Sequence, residues 1–168
     1  MELQILHWIN DHHQVWLTPI MKFFTDFGEM GIGWIVIAIL CLAFKRTRKL
    51  GLTVVLALIM MYIIGELTLK PLVARARPCQ IDTSVSMLIP CPKQFSFPSG
   101  HSYASFASSM VIYLYHKRWG LLAFAVAIIV AMSRLYFFVH FPTDILAGAL
   151  LGIATGFVAM KIMNRKRV

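Results

Sequence analysis

Long stretches without charge are the feature of this sequence that most limits its fold. A helix needs about 20 apolar residues to cross the hydrocarbon core, with about 17 as the lower limit. Several runs approach that length and reach it with their flanking residues, and 59% of the 168 residues are hydrophobic. The chain is therefore expected to be an all-α integral membrane protein. The predicted spans contain Gly31–Phe44, Gly51–Gly65, Tyr103–Tyr115, Trp119–Val139 and Ile145–Met160.

These runs predict one membrane-embedded domain over residues 1–168, with a bundle of five to six transmembrane helices over 29–163. Residues 1–28 mix aromatic and polar side chains, a pattern typical of helices lying in the membrane interface. The sixth crossing depends on whether Gln14–Phe27 spans the bilayer or stays in the interface. No linker or internal repeat divides the chain, and its oligomeric state stays open.

The basic residues, which give the chain a net charge of +9, are spaced along it in a way that indicates membrane topology. Ten of the sixteen basic residues fall in segments that five spans would place on one side, without acidic residues among them. The positive-inside rule makes that side cytoplasmic and places Lys70–Phe97 outside. The protein is thus expected in the cell membrane with no nucleic-acid partner. The ten residues are Lys45, Arg46, Arg48, Lys49, Lys117, Arg118, Lys161, Arg165, Lys166 and Arg167.

Polar residues gather at the predicted outer ends of spans two to five. They occur in three segments: KPLVARARP over 70–78, PSGH over 98–101, and SR-x5-H-x3-D over 133–144. Ionisable groups at membrane depth are costly and usually face a cavity or one another. We therefore expect these helix ends to meet in one polar site.

The residue types in these segments suit a phosphate group. Lys70, Arg77 and Arg134 supply three cations, and arginine offers planar paired donors for a dianion. Ser99 and Gly100 lie at a predicted helix start, where free N–H groups favour a bound anion. Positioning and charge neutralisation are what phosphoryl transfer mainly requires.

Two histidines in the same segments can carry covalent and proton-transfer chemistry. Asp144 lies one helical turn from His140, so it can hold one imidazole nitrogen and leave the other to attack phosphorus. His101 lies beside the predicted phosphate cradle and can protonate the leaving group.

The three segments together resemble the type 2 phosphatidic acid phosphatase superfamily, whose signature is K-x6-RP, PSGH and SR-x5-H-x3-D. The match covers Lys70–Asp144 in order and with the family's spacing. The resemblance implies a helical bundle, a phosphohistidine on His140, an orienting role for Asp144 and a general acid at His101. It also implies phosphate binding by Lys70, Arg77, Ser99, Gly100 and Arg134.

Other polar residues near these segments have less specific expected roles. Arg75 and Arg77 are both candidates to bind the phosphate, but the spacing from Lys70 favours Arg77. Arg75 is then expected to contact the lipid head group or to support the residues that bind the phosphate. Glu66 stands four residues before Lys70, which suggests a helical ion pair that positions the lysine. Ser133 is a further candidate for the surroundings of the site.

Cys79 and Cys91 bracket a predicted outer loop, 79–97, on the side where disulfides persist. We expect them to pair and brace this loop over the site. Cys41 lies within the first predicted span and is expected to serve packing.

The predicted function is that of a metal-independent and cofactor-free lipid phosphatase, with undecaprenyl diphosphate as the first substrate hypothesis. Phosphatidylglycerophosphate, phosphatidic acid and a lipid A phosphate remain alternatives. A transporter or lipid-binding protein that holds phosphate without hydrolysing it is the rival from another class. The absence of an inverted repeat from the sequence argues against that rival.

Overall fold

The computed structural model describes residues 1–165, and over that range the fold is all-helical. A 3-10 turn, Glu29–Gly31, separates α2 from α3, and a π-helical stretch, Tyr62–Leu69, continues α4. Two predicted cytoplasmic cations, Lys166 and Arg167, lie outside the described residues. The helices are α1 Glu2–Asp11, α2 Leu17–Gly28, α3 Ile32–Ala43, α4 Arg48–Met61, α5 Lys70–Val73, α6 Pro78–Ile81, α7 Gly100–Tyr115, α8 Lys117–Tyr136 and α9 Pro142–Arg165.

Within residues 1–165, four helical runs are long and apolar enough to cross a membrane, compared with the five to six that the sequence predicts. The first run joins α2 to α3, so residues 17–28 continue into a 27-residue stretch instead of standing apart from it. The joint is a bend, because Met30 and Gly31 both have left-handed backbone angles. The four runs are Leu17–Ala43, Arg48–Ile81, Lys117–Tyr136 and Pro142–Arg165.

Helix α7 is the predicted span that falls short of this length, yet it extends from one end of the bundle to the other. Its 16 residues cover about 24 Å at 1.5 Å per residue. At its start the Ser99 N–H donates to the carbonyl of Asp144 over 3.1 Å. At its other end the Tyr115 hydroxyl lies 3.0 Å from Thr53 Oγ1 near the start of α4. Helix α7 therefore returns the chain from the end of α5 and α6 to the start of α8.

The centre of the bundle is formed by α7, which packs on α4, α8 and α9. Trp34, Val54, Tyr103 and Val111 are fully or almost fully buried in this core. Large apolar side chains such as Ile39 and Leu150 are exposed on the outer faces of the same helices. A helix bundle that is apolar both inside and outside is suited to a bilayer.

Close packing of α9 on α7 depends on glycines spaced four residues apart. A Cβ atom at Gly148, Gly152 or Gly156 would come within 2.6 to 2.7 Å of carbonyl oxygens of α7 or of the residue that caps it. The small-residue face of α9 is thus used within the chain, and it brings the first turn of α9 against the start of α7.

Candidate active site

His140 lies in the short connection between α8 and α9, and the protein engages both of its ring nitrogens. Arg77 Nη1 donates to Nε2 over 3.0 Å, while Nδ1 lies 3.3 Å from Ser96 Oγ and 3.5 Å from Asp144 Oδ2. Ser96 Oγ in turn donates to Asp144 Oδ2 over 2.5 Å. These contacts assign the Nδ1–H tautomer, which leaves a lone pair on Nε2. Complete burial lowers the pKa of His140 well below its ordinary value, so the ring is neutral at pH 7.

The carboxylate of Asp144 is fully buried in the first turn of α9. Its Oδ2 accepts the Phe141 N–H over 2.8 Å as well as the Ser96 hydroxyl. Its Oδ1 accepts from Arg75 Nη1 over 2.6 Å. A buried carboxylate is stable only when such partners replace its water. Asp144 therefore reaches His140 mainly through Ser96.

Arg77 is held in place by backbone carbonyls as well as by His140. Its guanidinium donates to Gln94 O over 2.7 Å, to Val139 O over 2.9 Å and to Phe95 O over 3.3 Å. The side chain is 2% exposed. Because these carbonyls fix the guanidinium plane, Arg77 faces the cavity in a preset orientation.

Lys70, at the start of α5, is paired with Glu66 one turn earlier. The Lys70 ammonium donates to Glu66 Oε2 over 2.7 Å. Across from them, a Cβ on Gly100 would lie 2.4 Å from Glu66 Oε1. The absence of a side chain at Gly100 therefore leaves room for the carboxylate that orients the lysine.

Arg134 and Ser133, at the end of α8, share a partner on α2. Thr25 Oγ1 accepts from Arg134 Nη1 over 2.6 Å and from Ser133 Oγ over 3.0 Å. Arg134 Nε is buried and has no hydrogen-bond partner among the described residues. The Nε–H of Arg134 is thus a buried donor for which the described residues supply no acceptor.

His101, in the first turn of α7, faces a carboxylate from the 3-10 turn. Its Nε2 lies 3.3 Å from Glu29 Oε2. A Cβ on Gly28 would lie 2.9 Å from His101 Cδ2, so Gly28 allows the ring to lie against α2. The Glu29 carboxylate and His101 both line the cavity.

Ser99, which the sequence predicts to contact phosphate, is not among the residues that line the cavity. It is the N-cap of α7, fully buried, and its Oγ accepts from Ser102 N over 3.5 Å. Its own N–H donates to the Asp144 carbonyl. Both polar groups are engaged within the protein, so Ser99 links α7 to α9 and does not line the cavity.

A cavity of about 620 Å³ connects these groups. Residues from α4, its π-helical continuation and the 3-10 turn give it an apolar side formed by Met30, Met61, Tyr62 and Leu67. The loop residues Pro92, Lys93, Gln94 and Phe95 form another wall. The predicted site residues that line the cavity are Glu66, Lys70, Arg77, Gly100, His101, Arg134 and His140.

The loop 79–97 is cross-linked within itself by a disulfide, and Arg77 holds it through the carbonyls of Gln94 and Phe95. Cys79 and Cys91 form the disulfide, with their Cα atoms 6.0 Å apart. Ser96, near the end of the loop, is buried beside His140. Cys41 is a free cysteine on α3.

With this geometry established, comparison with known proteins assigns the family. A family model described as the PAP2 superfamily matches residues 46–167. The chain belongs to the PAP2 superfamily. This confirms the family that three short sequence segments predicted, and the match extends well beyond those segments.

PAP2 relatives resemble the chain over most of its length. An undecaprenyl-diphosphatase of Sulfolobus acidocaldarius is 32% identical over 161 residues, which cover 95% of this chain and 77% of that protein. The crystal structure of a PAP2 phosphatidylglycerolphosphate phosphatase from Bacillus subtilis superposes with a TM-score of 0.81 at 26% identity, over 99% of this chain and 86% of the other. That of LpxE from Aquifex aeolicus has a TM-score of 0.76 at 26% identity, over 95% and 94%.

These PAP2 relationships and the four apolar helical runs make the chain a multi-pass membrane hydrolase of the lipid phosphatase family. The activity class predicted from the sequence, hydrolysis of a phosphoric ester, is confirmed.

Four residues of the site had no predicted role there: Glu2, Thr25, Glu29 and Ser96. Each contacts a predicted site residue from a distant part of the chain. Ser96 contacts His140, 44 positions away, and Thr25 contacts Arg134, 109 positions away. The sequence contains little signal for Thr25 and Ser96, because they match no spaced pattern. The acidic residues Glu2 and Glu29 were visible only as negative charges in an N-terminal segment that mixes aromatic and polar side chains.

Proposed function

We propose that the chain hydrolyses a lipid phosphate or diphosphate through a phosphohistidine on His140. The observation that carries this proposal is the position of His140, which lines a cavity that Lys70, Arg77 and Arg134 also line. A nucleophile and three cations around one space match what phosphoryl transfer requires.

In the first step, His140 Nε2 attacks phosphorus and the bond from phosphorus to the leaving oxygen breaks. Arg77 exchanges its contact with Nε2 for a phosphate oxygen, which frees the lone pair. The growing charge on the imidazole is stabilised through Ser96 by Asp144. His101 gives its proton to the leaving oxygen, after that oxygen has displaced Glu29 from Nε2.

In the second step, water attacks the phosphohistidine while His101 accepts one of its protons. The bond between phosphorus and His140 Nε2 breaks, and inorganic phosphate leaves the cavity. His101 is then protonated again, and His140 is neutral. The two steps consume one water molecule and need no metal ion.

Undecaprenyl diphosphate is the substrate we favour. The relative from Sulfolobus acidocaldarius carries the name of that activity. The cavity also combines a cationic end with an apolar side, which suits a diphosphate attached to an isoprenoid chain. Phosphatidylglycerophosphate, named for the Bacillus subtilis structure, is the main alternative, followed by phosphatidic acid and a lipid A phosphate.

We further infer that α7 is a fifth crossing and that the site faces outward. The basic residues at the other ends of the helices would then be cytoplasmic. Cysteines introduced one at a time in a Cys41→Ser background, where Cys79 and Cys91 are paired, test this: Leu88→Cys in the loop should react with an impermeant maleimide on intact cells. Arg118→Cys, at the opposite end, should react only after permeabilisation, and the reverse pattern would overturn the inferred orientation.

Phosphate release by purified protein in detergent and EDTA tests the activity. The panel contains the four candidate lipids, and wild type is compared with His140→Ala. His116→Ala is the matched control, because His116 is an exposed histidine between α7 and α8, outside the cavity. We expect wild type and His116→Ala to release phosphate, and His140→Ala to lose at least about 10³-fold of the rate.

Binding of a lipid phosphate without release by wild type would overturn the phosphatase proposal and favour the transporter or binding-protein class. Full activity in His140→Ala would overturn the phosphohistidine mechanism alone.

A further inference from the structure

Arg75 is the first of the two arginines in the segment that follows α5, and it contacts the partners of His140 but does not line the cavity. Its Nη1 donates to Asp144 Oδ1 over 2.6 Å and to Thr143 Oγ1 over 2.7 Å. Its backbone carbonyl accepts the Ser96 N–H over 2.8 Å. One residue thus holds both Asp144 and Ser96, the two groups that contact His140 Nδ1.

The two carboxylate oxygens of Asp144 have separate partners. Oδ2 faces Ser96, Phe141 N and His140, whereas Oδ1 accepts from Arg75. Among residues 1–165, Arg75 and His140 are the only basic side chains within 4 Å of this carboxylate. Since His140 is neutral before reaction, Arg75 is the cation that compensates the buried charge of Asp144.

Arg75 is itself held by the first helix of the chain. Glu2 Oε2 accepts from Arg75 Nη2 over 2.6 Å, and Glu2 Oε1 accepts from Thr143 N and Oγ1 over 3.1 and 2.7 Å. The Arg75 guanidinium also lies 4.1 Å from the centroid of the Phe141 ring. Partial burial raises the pKa of Glu2, but hydrogen bonds from Thr143 and Arg75 outweigh it and lower the pKa below its ordinary value. Glu2 is therefore ionised at neutral pH and pairs with Arg75 as an anion.

We propose that Arg75, held by Glu2, is a positioning residue that fixes Asp144 and Ser96 behind His140, so that α1 is part of the catalytic machinery. The inference rests on the proposed function and assigns a role to residues outside the family's signature. Arg75 acts through Asp144 and Ser96, without touching the substrate. Its loss should thus slow the chemical step and leave phosphate binding intact.

The test uses the full-length protein in detergent and measures kcat and KM for phosphate release, together with inhibition by vanadate as a phosphate analogue. Arg75→Met should lower kcat by about 10- to 100-fold, the effect of a small displacement of reacting groups. KM and the vanadate inhibition constant should stay within about twofold, since Arg75 does not line the cavity. Arg75→Lys should regain most of the lost kcat, because it retains a cation beside Asp144.

A general loosening of α1 must be distinguished from loss of positioning. His7 on α1 forms a second ion pair, with Asp82 Oδ2 at 3.0 Å, which also ties α1 to the segment after α6 but does not reach Asp144. Asp82→Asn is therefore the matched control, and we expect its kcat to stay within about twofold of wild type. Glu2→Gln keeps the shape of the Arg75 partner but not its charge, and should lower kcat by about threefold.

Three outcomes would overturn the inference: a kcat for Arg75→Met within twofold of wild type, an equal fall in Asp82→Asn, or a matched rise in KM and in the vanadate constant. If Arg75→Met does not fold, Glu2→Gln decides, and an unchanged kcat in that variant would also overturn it. An inactive wild type would instead refute the proposed function, so the two failures are distinguishable.

Discussion

Cations lie at both ends of the bundle, but in opposite surroundings. At the end that holds the cavity, Lys70, Arg77 and Arg134 are only 6%, 2% and 2% exposed, and each has partners within the protein. At the other end, Lys117 and Arg118 are exposed to the surroundings of the bundle. Burying a cation is costly unless the protein replaces its hydration, whereas an exposed one keeps its water. The same residue types are thus buried and hydrogen-bonded at the end that holds the cavity, and exposed at the other end.

Removing Arg77, one of the buried cations, should have the largest effect on phosphate release. Arg77→Ala is expected to lower phosphate release by at least about 10²-fold, because a preset donor to the phosphate is lost. Arg77→Lys should recover little of this, since lysine cannot donate to Gln94 O, Val139 O and the phosphate in one plane.

Arg118→Ala is the matched control at the opposite end, and its rate should stay within about twofold of wild type. Equal losses of rate in the Arg77 and Arg118 variants would mean that the buried and the exposed cations contribute equally to phosphate release.

A smaller effect on phosphate release is expected at Gly100, where the lack of a side chain leaves room for Glu66. In Gly100→Ala the new Cβ meets Glu66 Oε1, so the carboxylate must move and release Lys70. We expect phosphate release to fall by about 10-fold. The fall should be much smaller when Gly100→Ala is made in a Glu66→Ala background, because the clash is then absent.

Additive losses in the Gly100 and Glu66 double-mutant cycle would contradict this account. They would show that Gly100 acts through the backbone of α7 and not through the ion pair that orients Lys70.

The smallest effect on rate is expected from the loop that covers the cavity. Replacing both Cys79 and Cys91 with serine removes a link between residues 12 positions apart, and should lower the thermal midpoint by about 3 to 10 °C. Phosphate release should fall by only about two- to fivefold, since Arg77 still binds the loop carbonyls of Gln94 and Phe95.

Cys41→Ser serves as the control for the loss of a sulfur atom, and both quantities should stay unchanged in it. A midpoint for the double serine variant equal to that of wild type would show that the disulfide does not brace the loop.

Much of the architecture could be predicted because apolar runs and helix periodicity are local properties. The helical class, the family and the activity class are confirmed, while in the described part of the chain four helical runs meet the length for a span and α7 does not. The start of α7 after Ser99 agrees with the helix start that the PSGH segment predicted, but the helix ends at Tyr115 and has only 16 residues. The joining of α2 and α3 also depended on left-handed angles at Met30 and Gly31, which no local pattern indicated.

The sequence by itself determined which residues are candidates for chemistry, since the spacing of Lys70, Arg77, His101, Arg134 and His140 along helix ends can be read without coordinates. Only the tertiary structure decided what surrounds them. Ser96 reaches His140, and Glu2 reaches Arg75 and Thr143, through contacts between segments far apart in the chain. Such contacts depend on how helices of given length pack and where their ends meet. A hydrogen bond between distant segments leaves no periodic trace in the sequence, whereas a helix does.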